Sequence, residues 1–148
     1  MTHTFLLSEG TWSARGFFLD TEGVRNPVEG QVATTHTEDQ WIHEGAMRVL
    51  AFPPVEISNR YEIVPFQEGS DITQWTSLNP ALGEITGTFS LVDDSILSVY
   101  HSADGTYTGA EYLKKITPDV YQNRGMLMSS GRRISSWSVE LIRTKPGA

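Results

Sequence analysis

Nine turn-forming clusters punctuate this 148-residue chain at near-regular intervals, and their spacing limits what it can fold into. They are Asp20–Thr21–Glu22–Gly23, Glu38–Asp39, Phe52–Pro53–Pro54, Gln67–Glu68–Gly69–Ser70, Asn79–Pro80, Asp93–Asp94, Ala103–Asp104–Gly105, Pro118–Asp119 and Ser129–Ser130–Gly131. Glycine, proline, aspartate and asparagine are the residues that turns need. Ten segments result, each long enough for one strand and too short for a strand plus a helix. Parallel strands need crossovers of about a dozen residues or more, so the sheet must be an antiparallel meander.

The clearest segments alternate with period two, the mark of a half-buried strand. In the fourth, Val55, Ile57, Asn59, Tyr61 and Ile63 share a face opposite Glu56, Ser58, Arg60 and Glu62. In the sixth, Ile85, Gly87, Phe89 and Leu91 oppose Glu84, Thr86, Thr88 and Ser90; in the last, Trp137, Val139 and Leu141 oppose Ser136, Ser138 and Glu140. The inward face of the second, third, fifth, seventh and ninth segments is not fixed by pattern. The spacing allows one short helical turn at Phe5–Ser8. Short hairpins favour an up-and-down barrel over a Greek-key sandwich. Glycines inside the segments, at Gly16, Gly30, Gly45, Gly87, Gly109 and Gly125, suit strongly coiled strands. Strand order should follow chain order, with Ile134–Ile142 pairing Thr11–Leu19 to close the barrel, because an open meander would leave two long edges.

One domain over residues 1–148 is expected, with 1–9 a lead-in and 144–148 a frayed tail. A chain of this length buries roughly 70% of its unfolded surface and needs no staples. There are no cysteines, which excludes disulfides and thiol chemistry. Eleven basic against eighteen acidic residues give a net charge of −7, which disfavours nucleic acid and anionic membranes. The one basic cluster, Arg132, Arg133, Arg143 and Lys145, reads as a solvated face. Neither a signal peptide nor a membrane-spanning segment is evident, so a cytoplasmic location is expected.

Gly10–Thr11–Trp12, at the start of the first strand, adds a local device: glycine lets the backbone turn in beside an indole that plugs a barrel end. With Arg143 as the late-strand arginine that packs over such a tryptophan, the chain resembles the calycin superfamily. That group takes in lipocalins, fatty-acid-binding proteins and ten-stranded nitrobindin-like bacterial barrels. The resemblance implies an all-β, lipocalin-like, ten-stranded antiparallel up-and-down barrel with Gly10, Trp12 and Arg143 as its structural plug. It also has departures. The lipocalin Thr-Asp-Tyr signature is missing, Asp20 to Asn26 leaves room only for a turn where fatty-acid-binding proteins insert a helical lid, and their Arg-x-Tyr carboxylate clamp is absent. Nitrobindin-like barrels hold haem through a histidine near the C-terminus, whereas the last histidine here is His101, so no haem and no other cofactor is expected.

Ten strands enclose a wider interior than eight, and a cavity follows unless large residues fill it. The inward set is read as Trp41, His43, Asn59, Tyr61, Phe89, Tyr107, Glu111, Arg124 and Met126, mostly aromatic or thioether with a few polar groups, the usual make-up of a small-molecule site. An inward Arg124 would pair with Glu111 or with a ligand carboxylate. His36 and His43 flank the second turn but lack zinc-type spacing, so no metal is expected. Esterase, zinc-protease and phosphate-loop motifs are absent. The expected function is binding or carriage of a small, mostly hydrophobic molecule bearing a carboxylate or carbonyl, with a homodimer compatible. The alternative is a small barrel enzyme, an isomerase, cyclase or lyase, using an acid–base pair such as His43 and Glu111.

Overall fold

The computed structural model describes residues 2–146. Ten strands follow the predicted segments: β1 (Gly10–Leu19), β2 (Arg25–His36), β3 (Trp41–Val49), β4 (Val55–Ile63) and β5 (Ile72–Asn79), then β6 (Gly83–Val92), β7 (Ser95–Ser102), β8 (Tyr107–Thr117), β9 (Val120–Ser129) and β10 (Arg132–Pro146). Every neighbour pair is antiparallel and in chain order, and β10 pairs with β1 to close the barrel. All nine connections fall on the turn clusters read from sequence. At the last, Ser130 (φ 51°) and Gly131 (φ 75°) both take the left-handed conformation that a tight hairpin demands.

No helix forms among the described residues, and none is long and apolar enough to cross a membrane. Phe5–Ser8 makes a single turn, with the Ser8 N–H donating to the Thr4 carbonyl at 3.1 Å. The expected frayed tail is corrected in part. Residues 144–146 continue β10, with Lys145 opposite Thr11 and the Thr144 hydroxyl donating to the Thr11 carbonyl at 3.1 Å. Residues 147–148 lie outside the described residues.

Close approach explains the glycines inside the strands. A Cβ at Gly125 would meet Trp137 Cε2 at 2.3 Å, one at Gly109 would meet Tyr100 Cζ at 2.2 Å, and one at Gly87 would meet Trp75 Cζ2 at 2.4 Å. Each of these three glycines faces inward beside an aromatic residue on the adjoining strand, whose ring lies across the gap that the missing side chain leaves. Gly125→Ala should therefore push the Trp137 indole off its seat and cost about 1–3 kcal/mol. Thermal denaturation followed by far-ultraviolet circular dichroism measures this; an unchanged midpoint would contradict the packing argument.

The interior is solid at one end and hollow at the other. The chain's first residues fold across the end where β1, β3, β5, β7 and β9 begin. There Phe5 and Leu6 are buried with Trp12, Ile63, Ile96 and Tyr121. His3 ties this floor down. Its Nε2 donates to the Asp93 carbonyl at 2.9 Å, which leaves Nδ1 to accept from the Tyr121 hydroxyl at 2.8 Å. Tyr121 in turn accepts from the Thr4 N–H at 3.1 Å, and the Thr4 hydroxyl donates to the Pro118 carbonyl. At the opposite end, among the described residues, no lead-in of this kind covers the interior, which is bordered there by Phe18, Ser135 and residues 79–82.

Candidate functional site

Above the floor lies a cavity of about 670 Å³, within the range of roughly 300–1,000 Å³ usual for small-molecule pockets. Phe5 and Leu6 form its base, aliphatic side chains such as Val32, Ile57, Leu113 and Val139 its sides, and Phe18, Ser135 and residues 79–82 its upper margin. The wall has a split. β4 and β5 pair only at Tyr61–Ser77, Glu62–Thr76 and Ile63–Trp75, so residues 55–60 of β4 have no partner on that side. Glu56 and Ser58, which alternation turns away from the interior, border the cavity through this gap. The pocket thus reaches solvent through the end opposite the floor and the upper half of the β4–β5 seam.

One flank is aromatic. Tyr61 stacks on Trp75 with ring centroids 4.5 Å apart and planes 11° from parallel, and Phe89 lies 5.8 Å from Trp75. The Trp75 Nε1–H donates to Ser98 Oγ at 3.2 Å, so the rings have a fixed seat. The other flank is polar. Glu111 on β8 accepts from Asn123 Nδ2 at 3.3 Å, and Asn123 also donates to the Tyr112 carbonyl at 3.0 Å. Glu111 is half-buried and lines the cavity. Burial accordingly raises its carboxyl above the usual range, outweighing the hydrogen bonds of Asn123 and Trp137, which act the other way. Tyr61 and Tyr100 are raised too, first by burial and then by the charge of Glu111. His43 is pushed down to about 4 by burial, and its Nδ1 shares a 2.8 Å hydrogen bond with the Thr34 hydroxyl.

Of the nine residues expected to face inward and bind, His43, Asn59, Tyr61, Phe89 and Glu111 line the cavity. Four do not. Arg124 and Met126 are on the outer face, because β8–β9 pairing sets Gly125 opposite the inward Glu111 and Asn123 opposite Leu113. Met126 is exposed and Arg124 donates to the Asn123 carbonyl at 3.0 Å, so neither the Arg124–Glu111 pair nor an inward arginine exists. Trp41 lies beyond the floor, stacked at 4.0 Å on His36, whose Nε2 donates to the Leu6 carbonyl at 2.8 Å. Tyr107 starts β8 outside the cavity, its N–H donating to Ser102 Oγ at 2.9 Å. The expected binding set omitted Trp75, Tyr100, Asn123 and Trp137, although alternation put Trp137 on the apolar face of the last segment. The inward glycines opposite three of these were the signal that could have found them.

The plug residues sit at the closed end. Trp12 is fully buried, with the Arg143 guanidinium 5.7 Å from its ring centre, while Arg143 Nε donates to Asp119 at 2.8 Å. Among the described residues no three His, Asp or Glu side chains gather as a metal site.

No family model matches the chain, and no curated protein does. Among solved structures it is similar to the S-type phycobiliprotein lyase CPES from Guillardia theta, with a TM-score of 0.65 and 14% identity over 95% of this chain and 90% of that one. It also aligns with a de novo designed fluorescence-activating β-barrel, at a TM-score of 0.47 and 17% identity over 97% of this chain and all of the other. The likeness to the lyase is one of fold, a β-barrel, and of nothing finer.

Proposed function

We propose that this protein binds a small, mostly hydrophobic molecule inside the barrel. The observation that carries the reading is the contrast between the two ends. One is sealed by Phe5, Leu6 and Tyr121, and the other leads into a cavity of about 670 Å³. A barrel whose interior served only stability would be packed throughout, since an unfilled apolar void costs stability in proportion to its volume. Aromatic faces with a few placed polar groups are the composition that orients a ligand. The architecture supports placing the chain with the calycins, whose barrels hold their ligands inside.

Native mass spectrometry of freshly purified protein tests this. Wild type should carry a retained small molecule or take up hydrophobic probes one to one. Leu127→Trp and Ile57→Trp, which fill the hollow, should lose that mass while staying folded. Equal uptake by the filled variants would contradict an interior site.

A second reading, a small barrel enzyme, draws on Glu111. A carboxyl whose pKa is raised by burial is the kind of group that serves as a general acid, and a barrel of the same fold is named a phycobiliprotein lyase. Conversion of the retained molecule on incubation, abolished by Glu111→Gln, would favour it over simple carriage.

A further inference from the structure

Building on the reading of the barrel as a hydrophobic-ligand site, we propose that its ligand is a hydrophobic amine, an organic cation whose nitrogen sits against Glu111. The sequence had suggested the opposite charge through Arg124, and the geometry reverses it. Among the described residues no lysine or arginine lines the cavity, whereas Glu111 stands inside it and Glu56 borders it. The basic side chain in the wall, His43, has its pKa pushed down to about 4 and so carries no charge near neutral pH. No cation in the wall would offset the desolvation of a ligand carboxylate, and an ionised Glu111 would repel one.

A cation meets a different surface. Glu111 offers an acceptor already held by Asn123, with the Trp137 indole beside it. The stacked rings of Tyr61 and Trp75 present π-faces, which attract ammonium groups. The groups facing Glu111 are then Asn123 from β9, Trp137 from β10, Tyr61 from β4 and Tyr100 from β7, none of them basic. The proton balance is explicit. Burial raises the Glu111 carboxyl, and an ammonium ligand binds its carboxylate, so a proton leaves Glu111 for solvent on binding wherever the free protein holds it protonated. Affinity should therefore rise with pH about tenfold per unit while Glu111 is protonated in the free protein, then level off.

Fluorescence titration with 1-pyrenemethylamine, 1-pyrenemethanol and 1-pyreneacetic acid separates the possibilities. The amine should bind wild type roughly 10- to 100-fold more tightly than the alcohol, as a charge-assisted hydrogen bond allows, with the acid weakest. In Glu111→Gln the amine should lose that advantage and its pH slope, with the alcohol unchanged. Calorimetry of wild type in two buffers of different ionisation enthalpy should show proton release on amine binding that grows as pH is lowered. This holds whether or not the variant folds. Alcohol binding with no amine preference, no proton release or a preferred acid would overturn the cation proposal alone. Failure of all three probes to bind would overturn the hydrophobic-site reading as well.

Discussion

Trp12→Ala should lower the melting temperature by roughly 6–20 °C, the equivalent of about 3–5 kcal/mol for an aromatic removed from a packed core in a chain of this size. Trp12 has no exposed surface, and its ring meets Phe5 and Tyr121 edge-on at 5.2 and 5.5 Å. Those two rings form the floor of the barrel, so the loss extends beyond one residue. Trp12 does not line the cavity, and probe affinity measured well below the transition should be unchanged. Its indole Nε1 is buried with no hydrogen-bond partner among the described residues, a cost of about 1–3 kcal/mol that phenylalanine would not incur. Trp12→Phe should therefore lose less than half of what alanine loses. Calorimetric scans of the three proteins decide; an alanine variant that melts with wild type would show that the floor does not depend on this ring.

Acidification should expose His43. Its folded pKa, about 4 against an ordinary 6.5, means that the unfolded chain takes up a proton first as pH falls. The stability it contributes is complete above pH 6.5 and lost between there and about 4, amounting to roughly 3 kcal/mol for a shift of this size. His3, also lowered by burial, acts in the same direction. Glu111 acts in the opposite one. Its raised carboxyl favours the folded state below the ordinary carboxylate range and loses that contribution as pH rises through the folded value. The two partly cancel in wild type. Urea unfolding at pH 7, 5.5 and 4 should thus give a steeper acid loss in Glu111→Gln than in wild type, and a shallower one in His43→Gln. Parallel curves for all three proteins would contradict the burial of both groups.

What the sequence made legible follows from where the physics is local. Turn chemistry located every hairpin, because glycine, proline and aspartate act on their own backbone. Parity succeeded for β4, β6 and β10, where apolar residues alternate with charges or hydroxyls. It failed on β9. There Val120, Met126 and Met128 gave the even positions an apolar look, yet Tyr121, Asn123 and Leu127 are the ones that face in. A strand that lines a hollow has no need of an apolar inner face: Gly125 accommodates the Trp137 ring, and Asn123 serves Glu111. The methionines outside are ordinary surface. The floor was illegible for another reason. His3, Phe5 and Leu6 reach partners at Asp93, Tyr121 and His36, contacts of long sequence separation that no local pattern encodes.

Methyl-resolved NMR with a neutral hydrophobic probe, 1-pyrenemethanol, tests the interior site most directly, because inner and outer methyl groups alternate along the same strands. Ring-current shifts should fall on Ile57, Ile85, Leu113, Leu127, Val139 and Leu141, which line the cavity. They should spare Leu97, Val99, Ile116 and Ile142, which are exposed outside. Shifts confined to the outer set, or no shifts at saturating probe, would contradict a ligand site inside the barrel.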